Sequence, residues 1–174
     1  PKLQTNIFNI LTRCRTFQFT MSGDIEKHFR QILHLPDDCN YLRILFRPTP
    51  KEKIQEFKLQ TVSYGTLCAP YLSIRTLHQC ADDNAPSSEI ANIVKTAFYV
   101  DDLLYGGDTI EDCQQKLVQV VETLEAGKFP MTKINSNHPE VLDPIPTEKR
   151  MSHYQSDPAP KSLGVAHRID TDEY

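Results

Sequence analysis

Two adjacent carboxylates, Asp101 and Asp102, lie between the apolar stretch 93–100 and the apolar pair Leu103-Leu104. Successive residues of an extended strand point to opposite faces, so both carboxylates can approach one solvated point only where the chain turns. Aromatic and β-branched residues before the pair, and Gly106-Gly107 after it, favour a hairpin with the pair at its tip. Such a tip could hold a divalent cation. The alternative is an acidic turn whose side chains are simply solvated.

A third carboxylate, Asp24, follows the alternating segment 17–22, which has the pattern of a half-buried strand, and precedes a short helical segment at 25–32. A carboxylate at a strand end can face one at the tip of a neighbouring hairpin. We therefore expect Asp24 and Asp101 to share divalent ions held about 4 Å apart, the arrangement used for in-line attack on a phosphoryl group. The alternative for Asp24 is an N-cap of the segment 25–32.

Hydrophobic periodicity predicts the elements that must position these carboxylates. In chain order they are a helix at 3–15, the strand at 17–22, strands at 41–46 and 55–62, helices at 69–81 and 88–96 separated by a turn at 82–84, the acidic hairpin, a helix from Thr109 to Gly127 and a strand at 129–134. This order is typical of an α+β fold, with an antiparallel sheet backed by helices. Five prolines within 138–161 predict an extended or poorly ordered connection.

The net charge of −4 is unusual for a protein that acts on a polyanion. Its distribution is uneven, because residues 1–60 carry 10 Lys and Arg against 6 Asp and Glu, whereas residues 61–174 carry 9 against 17. The basic residues of the first part could line a phosphate track, or they could be solvated surface charges.

Five cysteines without CxxC spacing predict reduced thiols in an intracellular protein rather than disulfides, and the six scattered histidines predict no zinc site. No apolar run approaches the length of about 18 residues that suggests a membrane span. At 174 residues the chain has the size of one domain, and we expect it to be a piece of a longer polypeptide.

Six segments of the chain, in the same order, resemble blocks of reverse transcriptases, most closely those of Pao-type (BEL/Pao) LTR retrotransposons. They are 1–4 (PKLQ), 23–32 (GDIEKHFRQI), 41–46 (YLRILF), 61–66 (TVSYGT) continuing to 76–77, 99–102 (YVDD), and 124–127 (LEAG) continuing through Lys133 to 136–137. The resemblance implies a polymerase palm with part of the fingers over 1–137, a Pro-rich connection over 138–161, and the truncated start of a primer-grip region over 162–174.

The resemblance also implies roles for the acidic residues and one lysine. Asp24 and Asp101, supported by Asp102, would hold two Mg²⁺ ions, with Mn²⁺ as an alternative. Lys133 would donate a proton to the departing pyrophosphate, although an exposed lysine without a role is the alternative. The backbone carbonyl of Ile25 could add a metal ligand beside the nucleotide.

A nucleotide pocket is implied at Ile25, Phe29, Tyr64 and Gly65. The ring of Phe29 would exclude a 2′-hydroxyl by steric clash and so select deoxynucleotides. Core packing of Phe29 is the alternative. Gly65 would permit close approach of the backbone to a nucleotide, or it could be an ordinary turn glycine.

The expected activity is RNA-directed DNA polymerase activity on an RNA or DNA template with a primer strand and dNTPs. The parent would be a cytoplasmic polyprotein of an element particle, with RNase H and integrase regions and no membrane partner. Many family members have tryptophans in the last blocks, and this chain has none. A degenerate or domesticated, catalytically silent palm that binds nucleic acid or protein is therefore one alternative. A palm-like nucleotidyl cyclase is a second, although the YGT segment and Phe29 count against it.

Overall fold

The computed structural model describes residues 3–151 and the backbone of two short strands near the end of the chain. The α-helices of this part are α1 (Ile7–Cys14), α2 (Ala69–Asn84), α3 (Ser88–Thr96) and α4 (Ile110–Ala126). The strands are β1 (Phe19–Ile25), β2 (Arg43–Phe46), β3 (Gln55–Lys58), β4 (Phe98–Tyr99), β5 (Asp102–Gly107), β6 (Met131–Ser136), β7 (Lys161–Ser162) and β8 (Val165–Ala166). Short 3-10 helices cover His28–Gln31, Asp38–Tyr41, Pro139–Leu142 and Thr147–Lys149.

A four-stranded antiparallel sheet with the strand order β4-β5-β1-β6 forms the centre of the fold. Along β1 the residues Met21, Gly23 and Ile25 are buried, whereas Ser22 and Asp24 between them are only partly buried. This period of two is typical of an antiparallel strand that packs one face on the core. Asp24 therefore lies on the face of the sheet that points away from the core.

The helices cover the core face of the sheet. α4 packs against β1, β5 and β6, and α2 and α3 pack against α4. Both predicted ends of α4 are confirmed, because Thr109 Oγ1 accepts a hydrogen bond from the Asp112 N–H at 3.1 Å and Gly127 is the C-cap. The sheet and its helices are consistent with the predicted α+β class.

The predicted strand at 17–22 is wrong in its bounds, and this changes the setting of Asp24. β1 continues through Asp24 to Ile25 because β5 and β6 pair with it along that length. Asp24 is therefore not a helix N-cap. The segment 25–32 holds only a 3-10 turn, and Lys27 before it has a left-handed backbone with φ 52°.

Two predicted interruptions lie inside regular elements. Gly106 and Gly107 are the last two residues of β5, so the strand continues through the predicted breaker and ends with it. A Cβ on Gly106 would collide with the Phe19 carbonyl oxygen, and one on Gly107 would lie 2.8 Å from the Cys113 backbone nitrogen. These glycines therefore permit close packing onto β1 and the start of α4. The predicted turn at 82–84 is the last turn of α2, where Asn84 donates to the Cys80 carbonyl at 2.9 Å.

Other bounds differ by a few residues. The helix predicted at 3–15 is α1, the strands predicted at 41–46 and 55–62 are β2 and β3, and the strand predicted at 129–134 is β6. The helix predicted at 88–96 coincides with α3, where Ser87 Oγ caps the Ile90 N–H at 3.3 Å. The starts of α3 and α4 lie where local caps predict them, whereas the ends of the strands depend on their pairing partners.

The first part of the predicted Pro-rich connection is ordered and contributes to the core. Val141, Leu142 and Ile145 are buried in the main hydrophobic cluster. The Met151 N–H then donates to the Ile134 carbonyl at 2.9 Å, which attaches the chain to β6. Much of the expected primer-grip start at 162–174 lies outside the described residues.

Candidate active site

The three acidic residues singled out by the sequence meet at one end of the sheet. In the β1–β5 register, Asp24 lies directly opposite Asp102, so their side chains share one face, with Cβ atoms about 5 Å apart for such a pair. Asp101 lies in the turn between β4 and β5, and its carbonyl accepts a hydrogen bond from the Ile25 N–H at 2.9 Å. The family resemblance implies a supporting role for Asp102, and the register places this residue directly opposite Asp24.

Burial and mutual repulsion disturb the ionisation of this cluster. Burial raises the pKa of Asp102 to about 6, and the charges of Asp101 and Asp24 act in the same direction. Burial also raises the pKa of Asp101, with a further contribution from Asp24. Carboxylates that repel one another in a half-buried position are stabilised by any nearby cation.

Lys133 supplies one such cation. Its Nζ lies 2.7 Å from Asp24 Oδ2, and this hydrogen bond raises the pKa of the lysine. Lys133 and Ile134 together face the single residue Gly23, where the β1–β6 register shifts, and Lys133 has a left-handed φ of 51°. A bulge of this kind re-aims a side chain. Lys133 therefore lies in the bulge, and from there its side chain contacts Asp24.

The turn that carries Asp101 is braced by Gln4, a residue for which the sequence predicts no role. Val100 has a left-handed φ of 58°, an uncommon conformation for a β-branched residue. The Val100 N–H donates to Gln4 Oε1 at 3.1 Å, and Gln4 Nε2 donates to the Phe98 carbonyl at 3.0 Å. Only the resemblance of segment 1–4 to a family block marked this region, and it did not indicate the contact.

Two of the nucleotide-pocket candidates are in contact. The rings of Phe29 and Tyr64 lie 4.8 Å apart between centroids, with Tyr64 63% exposed and Phe29 half-buried against the core. Phe29 thus has a core contact and an open side, so packing does not exclude a further role. Gly65 has φ 84°, and no atom of the described residues lies within 4 Å of the position that a Cβ would take, so backbone conformation rather than close packing favours glycine there. The Ile25 side chain is buried.

His28 is a second residue that sequence reasoning missed, because a single histidine in an apolar pattern gives no signal. It is 1% exposed and packs edge-on against Phe129, with ring centroids 5.4 Å apart. Neither ring nitrogen has a hydrogen-bond partner in the described part of the chain. The backbone of Ser73 has a small raising effect on the pKa of His28. Burial lowers the pKa of His28 to about 4, against the opposing influence of Asp24.

The donor set can be tested for its fit to a divalent cation. Within residues 3–151, no three His, Cys, Asp or Glu side chains are arranged as a complete metal-binding group. The available donors are nevertheless carboxylate oxygens, the ligands that Mg²⁺ prefers, and they carry repulsion that a cation relieves. Asp24, Asp101 and Asp102 therefore fit a hard divalent ion in donor type and charge. In this structure Asp24 is paired with Lys133.

Part of the basic segment forms a two-stranded antiparallel ribbon of β2 and β3. All residues of β2 and β3 are exposed. Arg43 is paired with Glu56, and Lys58 donates to Asn40 at 2.6 Å, so these two cations have protein partners. The other face of the ribbon carries Phe46 and Phe57, with ring centroids 6.5 Å apart.

All five cysteines are free thiols, and each except Cys68 is buried, in agreement with the expectation of reduced thiols without a disulfide framework. None of the helices in the described ranges is long and apolar enough to cross a lipid bilayer. No protein-family model matches the chain, and no curated protein matches it either.

Proposed function

We propose that this chain is the palm, with part of the fingers, of an RNA-directed DNA polymerase of the Pao-type reverse-transcriptase family. The observation that carries the proposal is the strand register that sets Asp24 opposite Asp102, with Asp101 on the adjoining turn. Residues 77 positions or more apart in the sequence thereby form one acidic cluster at the end of an antiparallel sheet. Such a cluster could bind divalent cations. Nucleotidyl transfer depends on cations of this kind to neutralise phosphate charge.

The acidic residues would bind the metal. Asp24, Asp101 and Asp102 would hold two Mg²⁺ ions, which when bound would lower the pKa of a primer 3′-hydroxyl and neutralise the triphosphate. The raised pKa of Asp102 supports this role, because burial and the charges of Asp101 and Asp24 disfavour its ionised form, which a bound cation would stabilise.

Lys133 has a separate proposed role. Its ammonium is held at Asp24 Oδ2 with a raised pKa, so it is protonated at neutral pH. If a cation occupied Asp24, that ammonium would be free to turn toward the leaving pyrophosphate and would donate a proton from Nζ to it. The 64% exposure of its side chain leaves room for this movement.

The nucleotide would lie against Phe29 and Tyr64. Phe29 is held from behind by the core and at its side by Tyr64, so its ring has little freedom to move away from a bound sugar. A fixed ring is what steric exclusion of a 2′-hydroxyl requires. The open space around Gly65 leaves the backbone accessible to a phosphate or base.

Primer extension on poly(rA) with Mg²⁺ and dNTPs tests the proposal. We expect the parent polypeptide to extend the primer, and Asp101→Asn to abolish extension because the substitution removes a carboxylate of the cluster without changing its shape. Asp108→Asn, an exposed carboxylate a few residues away, is the matched control and should leave extension intact. Equal extension by the wild type and Asp101→Asn would contradict the assignment.

One observation favours a second candidate, a catalytically silent palm that binds nucleic acid or protein. Lys133 pairs with Asp24, so one of the three carboxylates already has a cationic partner without a metal ion. A parent polypeptide that binds primer–template but neither binds Mn²⁺ nor extends the primer would support this candidate.

A further inference from the structure

Among the strands that the structure describes, none pairs with the outer edge of the acidic hairpin. β4 is the terminal strand of the described sheet and is only two residues long, so its outward backbone groups have no strand partner within that sheet. Backbone N–H and C=O groups that are shielded from water need partners. The side-chain amide of Gln4 provides both, since it donates to the Phe98 carbonyl at 3.0 Å and accepts from the Val100 N–H at 3.1 Å. One primary amide thus does what one residue of an adjacent strand would do.

The hydrogen bond that Gln4 accepts comes from Val100, whose backbone is strained. Val100 has φ 58°, and a non-glycine residue keeps this strained conformation only where the surrounding structure holds it there. The Val100 N–H donates to Gln4 Oε1, and this hydrogen bond comes from outside the hairpin. Gln4 is therefore placed to hold the backbone at the point where the chain reverses.

Gln4 is itself anchored by the helix that follows it. α1 begins after the Asn6 cap, two residues beyond Gln4. At the other end of α1, Arg13 donates to the Thr96 carbonyl at 2.6 Å and to Thr96 Oγ1 at 2.9 Å. Thr96 is the last residue of α3, and β4 follows directly after Ala97. The hydrogen bonds of Arg13 therefore attach α1 to the chain just before the hairpin.

The conformation of Val100 is transmitted directly to Asp101. Asp101 is the next residue, and its carbonyl accepts the hydrogen bond of the Ile25 N–H at 2.9 Å. This bond ties the turn to the end of β1, one residue after Asp24. A rotation at Val100 would move both the Asp101 carbonyl and its carboxylate relative to Asp24.

We propose that Gln4 is a positioning residue for the acidic cluster, which acts through the Val100 backbone to fix Asp101 against the end of β1. The backbone part of this proposal is independent of any catalytic activity. Its consequence for metal binding rests on the proposed function.

Amide hydrogen exchange measured by NMR on the metal-free 174-residue chain tests the backbone part. Gln4→Met keeps the length of the side chain and removes both hydrogen bonds. Loss of a bond worth about 1 kcal/mol predicts about fivefold faster exchange at the Val100 amide. If Gln4 positions Asp101, the Ile25 amide, which donates to the Asp101 carbonyl, should also exchange about twofold or more faster.

Gln114→Met is the matched control, because the half-buried Gln114 also donates its amide to a backbone carbonyl, that of Glu140, at 2.6 Å. This control should leave the Val100 and Ile25 amides unchanged. Gln4→Glu keeps the acceptor for the Val100 N–H but cannot donate to the Phe98 carbonyl. It should therefore retain more protection at the Val100 and Ile25 amides than Gln4→Met, including under conditions in which Gln4→Met does not fold. Three results would overturn the proposal: an unprotected Val100 amide in the wild type, a change at Val100 without one at Ile25, or protection in Gln4→Glu that is no greater than in Gln4→Met.

Mn²⁺ affinity, measured by calorimetry, tests the consequence for the metal site. A misplaced carboxylate predicts that Gln4→Met lowers the affinity about tenfold, a change of about 1.4 kcal/mol, while Gln114→Met has no effect. Altered exchange at Ile25 with unchanged Mn²⁺ affinity would overturn the part of the proposal that concerns the metal. A wild-type chain without any Mn²⁺ affinity would instead contradict the proposed function, and the exchange result would still decide the role of Gln4.

Discussion

At the scale of single residues, Lys133 pairs with a carboxylate that is proposed to bind a metal ion. Its ammonium lies 2.7 Å from Asp24 Oδ2, so a cation that used this oxygen would displace it. We expect Lys133→Met to raise the Mn²⁺ affinity by up to about fivefold, because an exposed ion pair of this kind contributes about 1 kcal/mol or less. Isothermal titration calorimetry measures the change.

Lys128→Met is the control for Lys133→Met. Lys128 is also an exposed lysine with a left-handed backbone, φ 65°, but it lies outside the acidic cluster. Its substitution should leave the Mn²⁺ affinity unchanged. A lower affinity in Lys133→Met would mean that the lysine helps to assemble the carboxylates rather than competing with the ion.

His28 makes the free energy of unfolding depend on pH. The pKa of His28 is about 4 in the folded protein and about 6.5 in an unfolded chain, so below pH 6.5 the unfolded chain takes up a proton that the folded protein does not. The folded state therefore loses stability as the pH falls from 6.5 toward 4. Between about pH 7 and about pH 5 this residue should account for a loss of about 2 kcal/mol.

Urea unfolding at the two pH values, compared between the wild type and His28→Leu, isolates this contribution. The comparison is necessary because the raised pKa of Asp102, about 6, acts in the same window with the opposite sign. His28→Leu should remove the loss, and the same substitution at the half-buried His34 should not. Equal pH dependence in the wild type and His28→Leu would contradict the argument.

At the scale of elements, the glycines of β5 permit the close packing of the sheet. A Cβ on Gly106 would meet the Phe19 carbonyl oxygen and lie 2.7 Å from Phe17 Cβ, and backbone atoms cannot move aside as a flexible side chain can. Gly106→Ala should therefore lower the free energy of unfolding by about 2 kcal/mol or more.

Gly65→Ala provides the comparison for Gly106→Ala. Gly65 has φ 84°, and within the part of the chain that the structure describes no atom lies within 4 Å of the position that a Cβ would occupy, so alanine adds backbone strain of about 1 kcal/mol and no collision there. Urea unfolding should rank Gly106→Ala as the more destabilising substitution. The reverse order would indicate that β1 and β5 can separate at little cost.

Helices were more predictable than strands. Thr109 and Gly127 mark the ends of α4 with local signals, and Ser87 does so for the start of α3. The presence of Asp24, Asp101 and Asp102 in one cluster was also predicted from sequence. The register that sets Asp102 opposite Asp24, and the bulge that presents Lys133, were not, because strand pairing depends on distant residues. Gln4 was missed for the same reason, since its partners are more than 90 positions away.

At the scale of the whole molecule, the net charge of −4 limits the attraction for a nucleic acid, so binding should depend on the few basic positions that face solvent. Lys51 and Lys53 lie in the exposed loop between β2 and β3. If both contact phosphates, Lys51→Gln combined with Lys53→Gln should make the slope of log K against log salt less steep by about 2.

Fluorescence anisotropy with a labelled primer–template at several salt concentrations measures that slope. Lys128→Gln, which removes an exposed charge just after the end of α4, should leave it unchanged. An identical slope for the wild type and the double variant would show that the loop does not contact phosphates.

The attachment of residues 139–151 to β6 has a consequence for how the protein can be divided. Arg150 forms a parallel bridge with Ile134, and Ile134 is the neighbour of Lys133 in the bulge. A shortened protein that stops before Pro139 would lose the buried Val141, Leu142 and Ile145 as well as this bridge. The strand of the sheet that loses contacts would be β6, which carries Lys133, the lysine paired with Asp24. The cut itself would lie outside every motif that marks the site.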